Sequence, residues 1–174
     1  MKTRMLLLVT CTIALAATAA LATQVIPRTP RELAAESALI VDGKVTGVRS
    51  YWNADRSRIS TEVTVAVGET YKGTGPATVR VVQPGGVVGN VRMTAHGALS
   101  WRRGEDVLLF LEPSVPGAFQ VAGFSQGKFA VERDARTGRA FVLAAPAAEA
   151  DGAGAAGTKR TTIEQFINQV LPTE

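Results

Sequence analysis

The sequence is short of nearly every group that enzymes use for covalent or metal chemistry. Among 174 residues there is one cysteine, Cys11, and one histidine, His96. A thiol nucleophile, a disulfide framework or a Cys/His zinc site each needs more than this chain supplies. His96 sits in Thr94-Ala95-His96-Gly97, and no Gly-x-Ser-x-Gly elbow accompanies it, so it reads as an ordinary loop residue. The adjacent carboxylates Glu105-Asp106 point to opposite faces of any strand they enter and read as a solvated turn. Gly85-Gly86-x-x-Gly89 lacks the Lys-Ser/Thr of a phosphate loop and reads as a turn needing positive φ. No metal, no cofactor and no catalytic residue is expected.

Strong charge is also missing. The chain has 19 basic and 15 acidic residues, a net of +4. Without Lys2 and Arg4 the balance is 17 against 15, which points away from a nucleic-acid partner. Those two cations head a targeting pattern. An apolar run covers Met5 to Leu15, and small residues follow from Ala16 to Ala22. Ala20-Leu21-Ala22 satisfies the small-x-small rule, so residues 1–22 read as a signal peptide cleaved before Thr23. An uncleaved anchor or lipidation at Cys11 are the competing readings. With cleavage the protein is exported, periplasmic or secreted, carries no membrane span, and lacks cysteine. Its stability then rests on a core, which a chain this long can build.

What is present is β-patterned. Thr29-Pro30-Arg31-Glu32 is a capping box that starts a short helix. Ala38 to Val41 opens the first strand, in which Leu39, Val41 and Val45 share one phase and Val48 the other. A bulge at Gly47 would return Val48 to the core face and bend the strand. Thr61, Val63, Val65, Val67 and Tyr71 alternate with polar residues, as on a half-buried strand. Further strands are read at Thr78 to Gln83, Phe119 to Phe124 and Lys128 to Glu132, with an edge strand at Ala140 to Leu143. Val107 to Leu111 is apolar in both phases and should be the most buried strand. Residues 23–143 thus form one β domain. Residues 144–160 read as an Ala/Gly-rich linker, and 161–174 as an amphipathic helix. That helix would be capped by Thr161 and Glu164, with Ile163, Phe166, Ile167, Val170 and Leu171 on one face. Such a face usually docks on its own domain, with a partner groove as the alternative.

Trp101-Arg102-Arg103 and the loop residue Trp52 are the candidate binding residues, because aromatic and Arg side chains dominate interface energetics. The competing reading, which the usual burial of tryptophan favours, has each Trp closing a barrel end with the arginines solvated.

Ala38-Leu39-Ile40-Val41-x-Gly43-Lys44-Val45, Tyr71-Lys72-Gly73, Val79-x-Val81-Val82-x-Pro84-Gly85-Gly86 and Gly104 to Leu111 together resemble the netrin-like barrels of the tissue inhibitors of metalloproteinases. Cysteine-free exported bacterial relatives of that barrel are a closer likeness. The resemblance covers roughly residues 38–131. It implies a mainly β fold: a small five- to six-stranded antiparallel OB-type barrel with a short N-terminal and a C-terminal helix. The inhibitors ligate the protease zinc through an N-terminal cysteine, which this chain lacks, so no functional residue transfers. The leading expectation is a non-enzymatic module that binds an extracellular or envelope component. An enzyme with an unfamiliar site, or a purely structural envelope protein, are the alternatives.

Overall fold

The computed structural model describes residues 26–143 and 160–171. The cleavage site and nearly all of the Ala/Gly-rich segment lie outside them. In chain order the elements are α1 (Pro30–Glu36), β1 (Leu39–Trp52), β2 (Ile59–Lys72), β3 (Thr78–Pro84), β4 (Gly86–Val88), β5 (Val91–Met93), β6 (Asp106–Pro113), β7 (Phe119–Val121), β8 (Lys128–Arg133), β9 (Ala140–Leu143), β10 (Arg160–Thr162) and α2 (Ile163–Val170).

Five of these strands close a barrel in the order β1-β2-β3-β7-β6, with β6 returning to β1. The protein is therefore mainly β, with an OB-type closed barrel and two helices. The pairings around the ring are antiparallel except one: β3 and β7 run parallel and meet at a single pair, Val81 with Phe119. The barrel is thus mainly antiparallel, as expected from sequence, with one parallel seam. The parallel seam arises because the long β3–β6 connection carries the chain across the barrel before the β6–β7 hairpin brings it back.

Strand phase follows the alternation read from sequence. Val63, Val65, Leu109 and Leu111 are fully buried in the barrel lumen, and Val67 packs half-buried against them. β6 has apolar residues in both phases because it separates two cores. Val107, Leu109 and Leu111 face the lumen, while Leu108 and Phe110 face an outer core made with Leu33 of α1 and Ile163, Ile167 and Val170 of α2. The apolar face of α2 thus docks on its own domain. β8 continues the sheet beyond β6, and β9 and β10 follow it, so β6 shares one edge between β7 and β8.

Several local expectations are corrected. The β1 bulge is present, since the register skips between Val45–Val65 and Gly47–Thr64. It sets Val48 opposite the lumen-facing Val63, yet Val48 stays 42% exposed, because that end of β1 projects past the packed lumen. Further register shifts at Ile40/Val41 and Asp42/Gly43 turn Tyr71 out of the lumen phase and onto the outer core. The strand expected from Phe119 to Phe124 stops at Val121, where Gly123 and Phe124 adopt positive φ and turn the chain. The helix cap of α2 is Thr162 with Gln165, one residue later than Thr161 with Glu164, because Arg160 to Thr162 are held by β9 as strand. The α1 capping box is Thr29 with Glu32, as expected. The hairpin β4–β5 carries no legible signal in strands of three residues.

Candidate functional site

Where β1 and β2 outrun the packed lumen, the barrel mouth opens into a cleft of about 510 Å³. Its sides come from widely separated segments: Val48 and Ser50 of β1, Thr61 of β2, Gln83 of β3, the β4–β5 hairpin, and the loop from Thr94 to Trp101.

At one side of the cleft two hydroxyls meet in what is otherwise the valine phase of β1 and β2. Ser50 Oγ and Thr61 Oγ1 are 2.9 Å apart. The Thr61 hydroxyl donates to the Gly85 carbonyl at 2.7 Å, so Ser50 is the donor in the pair and keeps acceptor capacity on its own oxygen. Gly86 lies directly against both hydroxyls: a Cβ there would come within 2.4 Å of Ser50 Oγ and 2.5 Å of Thr61 Oγ1. At φ of 142° the position also demands glycine. The Gly85-Gly86-x-x-Gly89 segment is thus the positive-φ turn read from sequence, and it presses backbone against the hydroxyl pair.

Trp101 forms the other wall. Its Nε1 donates to Gln83 Oε1 at 2.9 Å, and the same amide accepts from Leu99 N at 3.2 Å and donates to Leu99 O at 2.9 Å. Lys128 Nζ sits 4.3 Å from the indole centroid and is fixed by Ser100 O at 2.6 Å and Glu105 Oε1 at 2.8 Å. The ring is therefore held in place and half-buried, with its body on the barrel core. Glu105, read as one half of a solvated carboxylate pair, instead anchors this lysine. Asp106 pairs with Lys44 at 2.9 Å.

Of the four residues singled out by sequence, only Trp101 lines the cleft. Arg102 and Arg103 follow it on an exposed turn fastened by Gly104 N to Val45 O at 2.7 Å. Trp52 stands at the far end of β1, half-buried and opposite Ile59, outside the cleft lining. His96 is exposed on the loop between β5 and Trp101. Sequence reasoning missed Ser50, Gln83 and Arg92. Thr61 did carry a signal, as the hydroxyl in a run of lumen-facing valines. Arg92, Arg102 and Arg103 have no carboxylate within ion-pair distance among the described residues, unlike Arg49 and Arg80, which flank Glu62 at 3.6 and 2.7 Å.

A second polar cluster lies on the outer side of β1 and β8. Asp42, almost fully buried, accepts from Glu69 N at 2.7 Å and from Arg133 Nη2 at 3.3 Å. Burial, and then the charges of Asp42 and Glu69, push the nearby Tyr71 phenol far above its ordinary range, so it stays a neutral donor. Among the described residues no group of three His, Cys, Asp or Glu side chains could hold a metal ion, and no helix is long and apolar enough to cross a membrane.

No protein-family model matches the chain, and no curated protein matches it.

Proposed function

We propose that this domain is an exported, non-enzymatic binding module, related in architecture to the netrin-like barrels, that captures a protein or cell-envelope ligand at its open barrel mouth. The observation that carries the reading is the cleft itself. It is built from hydroxyl, amide, thioether, indole and guanidinium groups, which hold a ligand through hydrogen bonds and apolar contact. Trp101 is locked before any ligand arrives, which lowers the entropic cost of binding. Arg92 in the cleft, with Arg102 and Arg103 beside its tryptophan wall, favours a ligand surface with acidic or carbonyl groups. Trp52 lies off this site and is expected to contribute to hairpin packing.

The test is a pull-down from the native extracellular or envelope fraction with the tagged mature protein, followed by titration of the captured partner. Binding should saturate, survive chelators, weaken with added salt and persist in His96→Ala. Arg102→Ala should lower affinity while thermal stability stays unchanged. Unchanged affinity with unchanged stability removes Arg102 from the site. Turnover of a substrate that disappears in a folded His96→Ala protein would refute the non-enzymatic reading.

A further inference from the structure

The parallel seam of the barrel is a second recognition feature, distinct from the mouth. In β3 the bonds Gly85 N to Ile59 O at 2.8 Å and Val67 N to Ala77 O at 2.9 Å fix the odd-numbered residues as those bonded to β2. Alternation along the antiparallel ladder turns the backbone groups of Arg80, Val82 and Pro84 the other way, toward β7. In β7, Ala122 N bonds Phe110 O at 2.9 Å, and Ser114 N bonds Ala118 O at 3.1 Å. The even-numbered residues therefore face β6, and Phe119 and Val121 face β3. The two strands pair only at Val81 and Phe119 among the described residues, and beyond that point they diverge. By this alternation the Val82 carbonyl, and the N–H and carbonyl of Val121, point into the seam, where no second bridge joins the two strands among the described residues.

Between the diverging strands lies a groove of about 700 Å³. Val82, Pro84, Pro113 and Val121 give it apolar walls, and Phe124 stands on its rim. Phe124 is 74% exposed and holds φ at 65°, a conformation rarely adopted by a bulky side chain. An exposed aromatic in a strained backbone serves recognition better than it serves folding. The rim charges are unequal. Arg28 and Glu36 neutralise each other, whereas among the described residues Glu112 has only the Gln120 amide, at 3.3 Å.

We propose that this seam accepts one extended peptide segment of a partner protein, inserted between β3 and β7 and carrying a lysine or arginine toward Glu112. A peptide backbone is the ligand whose chemistry matches two facing sheet edges, because it supplies donors and acceptors along both of its own edges. Since β3 and β7 are parallel, a segment running opposite to them pairs antiparallel with both, the more favourable ladder. Pro84 removes a donor from the β3 edge and confines pairing to the stretch beside Val82. The inference stands apart from the barrel-mouth reading, although Gln83 borders both sites.

The experiment selects displayed random short peptides on the mature protein and maps the bound peptide by backbone amide shifts. Selected peptides should alternate β-branched residues, carry one basic residue, and perturb the amides of Val82, Val121 and Phe124. N-methylation of one central peptide amide should weaken binding roughly tenfold, because main-chain bonds carry the affinity. Phe124→Asn relieves the left-handed strain and should fold, yet lower affinity roughly fivefold. Glu112→Gln should weaken the basic peptides and spare versions lacking the cation, an arm that does not depend on the loop. Failure to enrich any peptide family, indifference to N-methylation, or shifts confined to Ser50 and Thr61 at the mouth would each overturn the proposal.

Discussion

Single positions decide how closely the barrel strands can approach. Gly43 lies at a register shift of β1, and a Cβ there would sit 2.3 Å from the Ala66 carbonyl oxygen of the neighbouring strand. Close strand approach at a barrel corner is a position that only glycine fills. In the lumen, Val65 is fully buried among valines and leucines. Val65→Asp places an unpaired carboxylate in that apolar interior, so it should abolish the folded state, as read by loss of near-UV circular dichroism. A stable, folded Val65→Asp protein would mean that the lumen phase is misassigned. This phase was legible in the sequence because Thr61 to Val67 alternate strictly. The exposure of Val48 was not, since the pattern shows which face a residue takes and not where the packed lumen ends.

At the scale of elements, ends and turns hold the outer layer on the barrel. The Thr162 hydroxyl accepts from Gln165 N at 3.3 Å, at the point where β10 becomes α2. Thr162→Ala should lower stability by about 1 kcal/mol in chemical denaturation, while Thr161→Ala, one residue earlier, should cost less. The β8–β9 turn is governed by Asp134. Its carboxylate accepts from Thr137 N at 2.8 Å and Arg136 N at 2.9 Å. These contacts, the Thr137 backbone first, hold the carboxyl below its ordinary range. The turn's contribution is complete above the unfolded value near ~4 and is lost as pH falls through the folded value. Amide protection at Arg136 and Thr137, taken relative to intrinsic exchange at each pH, should therefore fall on acidification below roughly pH 4, and Asp134→Asn should remove that dependence. Sequence alone placed the strands on either side of this turn but not β4, β5 or β10. Strands of three residues are too short for alternation to show, and β10 is recognisable only once β9 is beside it. The cleft was equally hidden. Its hydroxyl, amide and guanidinium groups come from segments far apart in the chain, and only Trp101 announced itself by residue type.

Across the whole molecule, β6 joins two cores that would otherwise be independent. Phe110, fully buried, packs on the outer side against Phe129 at 5.1 Å and Phe166 at 6.3 Å between ring centroids, while its neighbours Leu109 and Leu111 fill the lumen. Phe110→Ala should cost about 3–5 kcal/mol and lower the midpoint of a single transition. Tryptophan fluorescence, which reports the barrel side through Trp101, and helical circular dichroism should move together. Two separated transitions would show that the helical layer melts by itself. The double apolar phase of β6 made its central place readable in advance, and the apolar stripe of α2 made its docking readable. The identity of the strand beside β3 was not, because a single bridge leaves no periodic trace.

That single bridge also sets the order in which the chain can acquire its shape. β1, β2 and β3 are joined by short connections and can pair early, whereas Val81 and Phe119 are 38 positions apart and Leu39 and Leu111 are 72 apart. Loop-closure entropy postpones such contacts until the local ones are in place. The species that precedes closure is an open, curved sheet with its lumen valines facing water. Refolding should accordingly be slow for a domain of this size, on the order of milliseconds to seconds, and its yield should fall as protein concentration rises.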